Sequence, residues 1–211
     1  MKNQLLLKSA FTAFFAATIC LGGLFKIPFG PIPIVLQNAI CVLTGLLFGG
    51  FLSAAPTALF LLAGLIGFPV YSGGTGGLAV WAGPTGGFLW GYLLGALAAG
   101  LIAGRPALQP VSPAKDFLRV LSGSIVAMVL IYVPGVFHFA RWAVNSGAFS
   151  QTAQQTQSVF AYTLSACVIP YLPGDCIKTV LIVVVALKVR PSIARYIYFN
   201  QSAKPAQEGQ K

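Results

Sequence analysis

Long apolar blocks alternate along this chain with short breaks rich in proline, glycine or small polar residues. The blocks predict helices over about Leu7–Phe25, Ile34–Phe48, Phe51–Leu65, Phe88–Ala103, Phe117–Ala140 and Val159–Val189. The break Lys26-Ile-Pro-Phe-Gly-Pro-Ile-Pro33 holds three prolines, which lack a backbone donor and favour a non-helical loop. Gly49-Gly50 is a tight uncharged turn. Gly67 to Gly87 carries Pro69, Pro84 and eight glycines and reads as an extended loop. Pro134-Gly135 predicts a kink in the fifth helix, and Pro170 to Gly174 interrupts the sixth. A spanning helix needs about 20 apolar residues. The expected fold is therefore an all-α membrane protein: six transmembrane helices with Pro-rich and Gly-rich outward loops. The expected organisation is a single six-helix transmembrane substrate-binding domain over residues 1–190 and a polar cytoplasmic tail over 191–211.

Charge sets the orientation. Six spans place both termini on one side, with Lys2, Lys8, Arg105, Lys115, Arg119, Lys188, Arg190, Arg195, Lys204 and Lys211. The other side offers Lys26 and Arg141. The positive-inside rule then puts both termini in the cytoplasm of a multi-pass protein of the bacterial cytoplasmic (inner) membrane. The basic N-terminus before the apolar Ser9–Phe25 run imitates a signal peptide, but no clear cleavage site follows, and the run reads as the first span.

Composition agrees: 57% of the 211 residues are hydrophobic and 8% charged, against about 25% charged in soluble domains. The net charge of +10 does not indicate nucleic acid, because the basic residues are scattered at helix ends. Cys20, Cys41, Cys167 and Cys176 form no C-x-x-C pair, and His138 is the only histidine, so no metal site or cofactor is expected. No Ser/His/Asp set or pair of carboxylates with acid–base spacing supports an enzyme.

The candidate chemistry centres on Asp175 and Lys178. Asp175 is one of three acidic residues and the one inside a long apolar run. A charge in hydrocarbon costs about 2.5–3.5 kcal/mol on insertion scales, so such residues face the bundle interior and mark a site or pathway. Three residues apart, the two share a helix face. A structural pair, a proton relay and a ligand-binding pair are all compatible, and ligand binding is the favoured reading. The carboxylate suits N–H or O–H donors, and the ammonium suits a ligand carboxylate. Gln37 fits either a ligand contact or an interhelical hydrogen bond. The Gly-rich loop lacks the Gly-Lys-Ser/Thr ending of a phosphate-binding loop. It reads either as close-packed turns or as a cap over a solute, with Tyr71 and Trp81 as apolar walls. Arg141 attracts a ligand carboxylate in one reading and, with His138, anchors at the interface in another. Ala13 and Ala17 form a small-x-x-x-small pair, suited to packing inside the bundle or to docking another membrane protein. A proton-coupled secondary transporter built around Asp175 is the alternative mechanism, though no internal repeat of the halves supports it.

Three pieces carry a resemblance: Ile32-Pro-Ile-Val-Leu-Gln37 after the Pro-rich loop, Gly83-Pro-Thr85-Gly-Gly-Phe88-Leu89, and Pro173-Gly-Asp175-Cys-Ile-Lys178. In order and spacing, from about Leu7 to Val189, the chain resembles the BioY family, the biotin-binding S components of energy-coupling factor transporters. Phe88 stands where that pattern leads one to expect Tyr. The resemblance implies biotin held mainly by helices four to six, under the first and Gly-rich loops. It implies that Asp175 meets the ureido ring, with Lys178 nearby and Thr85 in the matching loop motif. It further implies that Ala13 and Ala17 dock a transmembrane coupling subunit, and that ATP-binding cassette ATPase subunits are partners, since the chain has no ATP-binding motif. An S component for another small vitamin is the nearest alternative.

Overall fold

The computed structural model describes residues 2–24, 26–28, 32–109, 112–152 and 158–198. They form α1 (Lys2–Leu24), α2 (Gln37–Phe48), a 3-10 turn (Gly50–Ala54), α3 (Ala55–Leu65), α4 (Leu78–Ala82), α5 (Gly86–Ala103), α6 (Pro113–Asn145), α7 (Ala148–Thr152), α8 (Val159–Cys167) and α9 (Leu172–Ile197). Among the described residues no strand forms. Two isolated bridges, Ile27 with Ile34 and Tyr71 with Thr75, pin loops. Among the described residues three helices are long and apolar enough to cross a membrane: α1, α5 and α6. α2 and the Gly50–Leu65 segment are shorter and apolar.

Helix α2 is the centre of the molecule. Ten of its twelve residues are buried, as expected of a helix apolar all round. It packs on α5, α9, α1, α6 and α3. The outer surface is apolar too, with Phe51, Ile66, Phe137, Ile177 and Val180 exposed, which suits lipid contact.

The most extensive helix pair is α5 on α6. Its seam is a row of small residues on α5 at steps of four: Gly87, Gly91, Gly95, Ala99 and Ala103. A methyl group on Gly91 would lie 2.6 Å from the Ile131 Cα, and one on Gly87 would lie 2.3 Å from the Pro134 carbonyl oxygen. Small residues let backbones approach where lipid supplies no hydrophobic drive between helices. α6 runs unbroken through Pro134.

Several boundaries differ from expectation. α5 begins at Gly86, and the short α4 stands inside the Gly-rich stretch. The polar stretch after α6 includes α7. The boundary at residue 190 falls within α9, which continues to Ile197 and buries Ile193, Ala194 and Ile197. The burial of those three side chains, not local polarity, extends the helix; the tail beyond Tyr198 lies outside the described residues. Arg190, counted as a loop charge in the sequence reading, is also interior, at 2% exposure. Its guanidinium donates to the Leu46 carbonyl in the last turn of α2, and to Ala103 (2.9 Å) and Gly104 (3.2 Å) at the end of α5. Asp116 lies 3.6 Å away. The last carbonyls of a helix have no partner within it and carry partial negative charge. One planar fork of donors caps two such ends at once.

Candidate functional site

A cavity of about 370 Å³ opens between the segment before α2, the Gly-rich loop, and helices α5, α6 and α9. That size is within the roughly 300–1,000 Å³ range of small-molecule sites. Its polar end is built at the break between α8 and α9. Pro170 lies in the turn that separates them, and Pro173 starts α9, so Asp175 sits in the first helical turn. The positive end of a helix dipole favours a carboxylate there.

Asp175 is 8% exposed, and both of its carboxylate oxygens accept hydrogen bonds. One carboxylate oxygen accepts from Asn38 Nδ2 at 3.1 Å and from Lys178 Nζ at 2.9 Å. The other accepts from the Tyr132 hydroxyl at 2.6 Å. Lys178 Nζ also donates to the Val35 carbonyl at 2.9 Å and to Asn38 Oδ1 at 3.3 Å. An ammonium has three donors, so all three are engaged within the protein. Lys178, which also lines the cavity, thereby supports Asp175. A carboxylate has about four lone-pair positions, and the three bonds from described residues leave one acceptor position on Asp175. One amide N–H of Asn38 likewise remains for a ligand.

The structure brings Asp175, Lys178, Gln37, Tyr71 and Thr85 to this cavity. Gln37 nonetheless has a structural task. Its amide donates to the Val70 carbonyl at 2.8 Å and the Ile19 carbonyl at 3.4 Å, tying α1 and the Gly-rich loop to α2. Tyr71 donates to the Leu61 carbonyl (2.6 Å) and accepts from Trp81 Nε1 (2.8 Å). Burial raises the Tyr71 phenol pKa, and the Trp81 hydrogen bond opposes that rise. Trp81 is not among the cavity-lining residues; it clamps the loop from behind, edge-on to Tyr71 and Trp90. Arg141 lines a separate hollow with Ala82, Phe137, His138 and Trp142. Ala13 and Ala17 are exposed on the outside of α1, while Ala16 and Ile19 face inward. Phe88, in place of the expected Tyr, lines the cavity and packs edge-on against Tyr132.

The sequence reading missed Asn38 and Tyr132. Asn38 follows Gln37 directly, and two adjacent amides opening an apolar helix were signal enough. Tyr132 is hidden in an apolar run, where a tyrosine passes for packing.

Comparison with known proteins adds an independent finding. Residues 1–195 match the sequence model of the BioY family. The biotin transporter BioY of Rhodobacter capsulatus is 35% identical over 87% of this chain and 90% of its own length. The biotin transporter BioY of Lactococcus lactis subsp. cremoris is 30% identical over 94% of this chain and 98% of its own. A crystal structure of the S-component for biotin from an ECF-type ABC transporter superposes with a TM-score of 0.67 at 26% identity, covering 90% of this chain and 94% of that one.

Proposed function

From the premise that this chain belongs to the BioY family, a membrane-embedded biotin-binding uptake subunit and not an enzyme, we propose that it holds biotin in the cavity around Asp175. The carrying observation is the Asp175–Lys178–Asn38–Tyr132 network at the buried end of a cavity otherwise walled by Ile32, Phe88, Leu89 and Tyr92. The ureido ring of biotin presents two N–H donors and one carbonyl. The remaining acceptor on Asp175 and the remaining donor on Asn38 complement one edge of it. The thioether ring and the aliphatic chain match the aromatic and aliphatic walls. Calorimetry on the detergent-purified protein, with thiamine and riboflavin as controls, tests the reading. One-to-one biotin binding with silent controls is the expected result. A vitamin other than biotin giving the signal would replace the ligand.

The finer architecture belongs to the same proposal. α8 and α9 together complete a sixth crossing, beside α1, α2, α3 with its 3-10 turn, α5 and α6. Lys8 and Arg105 both lie over the Tyr198 ring, so the N-terminal helix, the α5–α6 connection and the end of α9 share one basic end. The positive-inside rule places that end in the cytoplasm and the cavity loops outside. Delivery then requires a coupling subunit and ATPase partners. The exposed Ala13/Ala17 face offers a close-approach surface for the former. Ala13→Trp is expected to leave biotin affinity unchanged and to abolish co-purification with the coupling module; intact assembly would sink the docking assignment.

A further inference from the structure

We propose that Lys26, with Ser72 from the lining of the same cavity, is the carboxylate-binding subsite of the cavity, a step that rests on reading that cavity as the biotin site. A ligand carboxylate entering this membrane domain needs a cation, and Lys178 has no donor left to offer. Arg141 lines a different hollow. Lys26 is the other cation that lines the cavity, at its exposed rim. Among the described residues its ammonium has no hydrogen-bond or ion-pair partner. Its position is nevertheless defined. The side chain lies across Gly73, where a methyl group would meet Lys26 Cδ at 2.7 Å and Nζ at 3.0 Å. Gly73 has φ of +71°, a conformation that favours glycine, and its N–H donates to the Gly23 carbonyl at 2.8 Å. The last turn of α1 and the Gly-rich loop are thus joined where Lys26 crosses.

Ser72 supplies the second observation. Its hydroxyl oxygen is buried and has no hydrogen-bond partner among the described residues, and the residue lines the same cavity. A buried polar group without a partner carries a cost that a bound acceptor removes. An ammonium and a hydroxyl from the lining of one cavity offer a carboxylate two donors, while the Asp175 network holds the other end of the ligand. The net-neutral floor does not discriminate acid from amide; the rim does.

The test compares biotin with its neutral primary amide by calorimetry on wild type, Lys26→Met and Lys26→Arg. Wild type is expected to favour the acid. Lys26→Met should lower biotin affinity by about 10- to 100-fold, the scale of a lost charge-assisted hydrogen bond, with the amide changed far less. Lys26→Arg should keep most of the preference. Equal losses for acid and amide, or no loss for either, overturn the subsite while leaving biotin binding intact. Wild type that binds neither ligand overturns the biotin reading itself, and the subsite with it. For Ser72→Ala a smaller loss for the acid is expected, and unchanged affinity removes Ser72 from the contact.

Discussion

Asp175→Asn is expected to weaken biotin binding by at least about tenfold and to lower the unfolding midpoint at the same time. The amide keeps the shape but removes the negative charge beside the Lys178 ammonium, which stays nearly buried at 13% side-chain exposure. Removing one partner of a buried ion pair costs about 3–5 kcal/mol, because the other charge is stranded. The Asn38 and Tyr132 donors meanwhile lose an ionised acceptor, and charge-assisted hydrogen bonds are about twice as strong as neutral ones. The two effects separate in the Asp175→Asn, Lys178→Met double variant. Without a stranded ammonium it should regain stability and still fail to bind. Calorimetric affinity and the unfolding midpoint in detergent read the two quantities. Wild-type affinity in Asp175→Asn would take Asp175 out of the site.

Arg190→Met is expected to lower stability by a similar amount, about 3–5 kcal/mol, without touching the cavity. The Leu46, Ala103 and Gly104 carbonyls lose their shared donor, and Asp116 loses the cation 3.6 Å away. Arg190→Lys should recover little, since a point-like ammonium does not reproduce a planar fork reaching two helix ends. Biotin affinity of the folded fraction should match wild type. An unchanged midpoint would show that these carbonyls find other partners.

The two variants also mark what the sequence reveals. Asp175 and Lys178 are legible because charge inside an apolar run has to be explained locally. Arg190 is not, because a cation a few residues past such a run is usually a loop charge, and only the packing of α9 shows otherwise. Helix positions follow from apolar blocks, but their ends do not: Ile193 to Ile197 continue a helix for contacts that sequence does not display. Asn38 lies 137 residues from the carboxylate it bonds, and no local pattern announces a pairing over that separation. Tyr71, Trp81 and Arg141 are chemically plausible ligand groups. For Tyr71 and Trp81, which of them faces the cavity depends on how the Gly-rich loop turns, and its glycines admit many paths, whereas Arg141 is carried away from the cavity on α6. The α5–α6 seam was readable in Gly87, Gly91 and Gly95, whose four-residue spacing is masked by the other glycines around it.

The pairing of Asp175 with Lys178 has an electrical consequence. A unit charge displaced across a membrane potential exchanges about 2.3 kcal/mol per 100 mV with the field. A bonded pair 2.9 Å apart sums to zero, so displacing it as one body does no net electrical work. A translation of the floor of this site as one body therefore contributes no voltage dependence to the release of the vitamin. If the ligand carboxylate is matched by Lys26 at the rim, the loaded site is neutral as a whole, and carrying the vitamin in this site moves no net charge through the field.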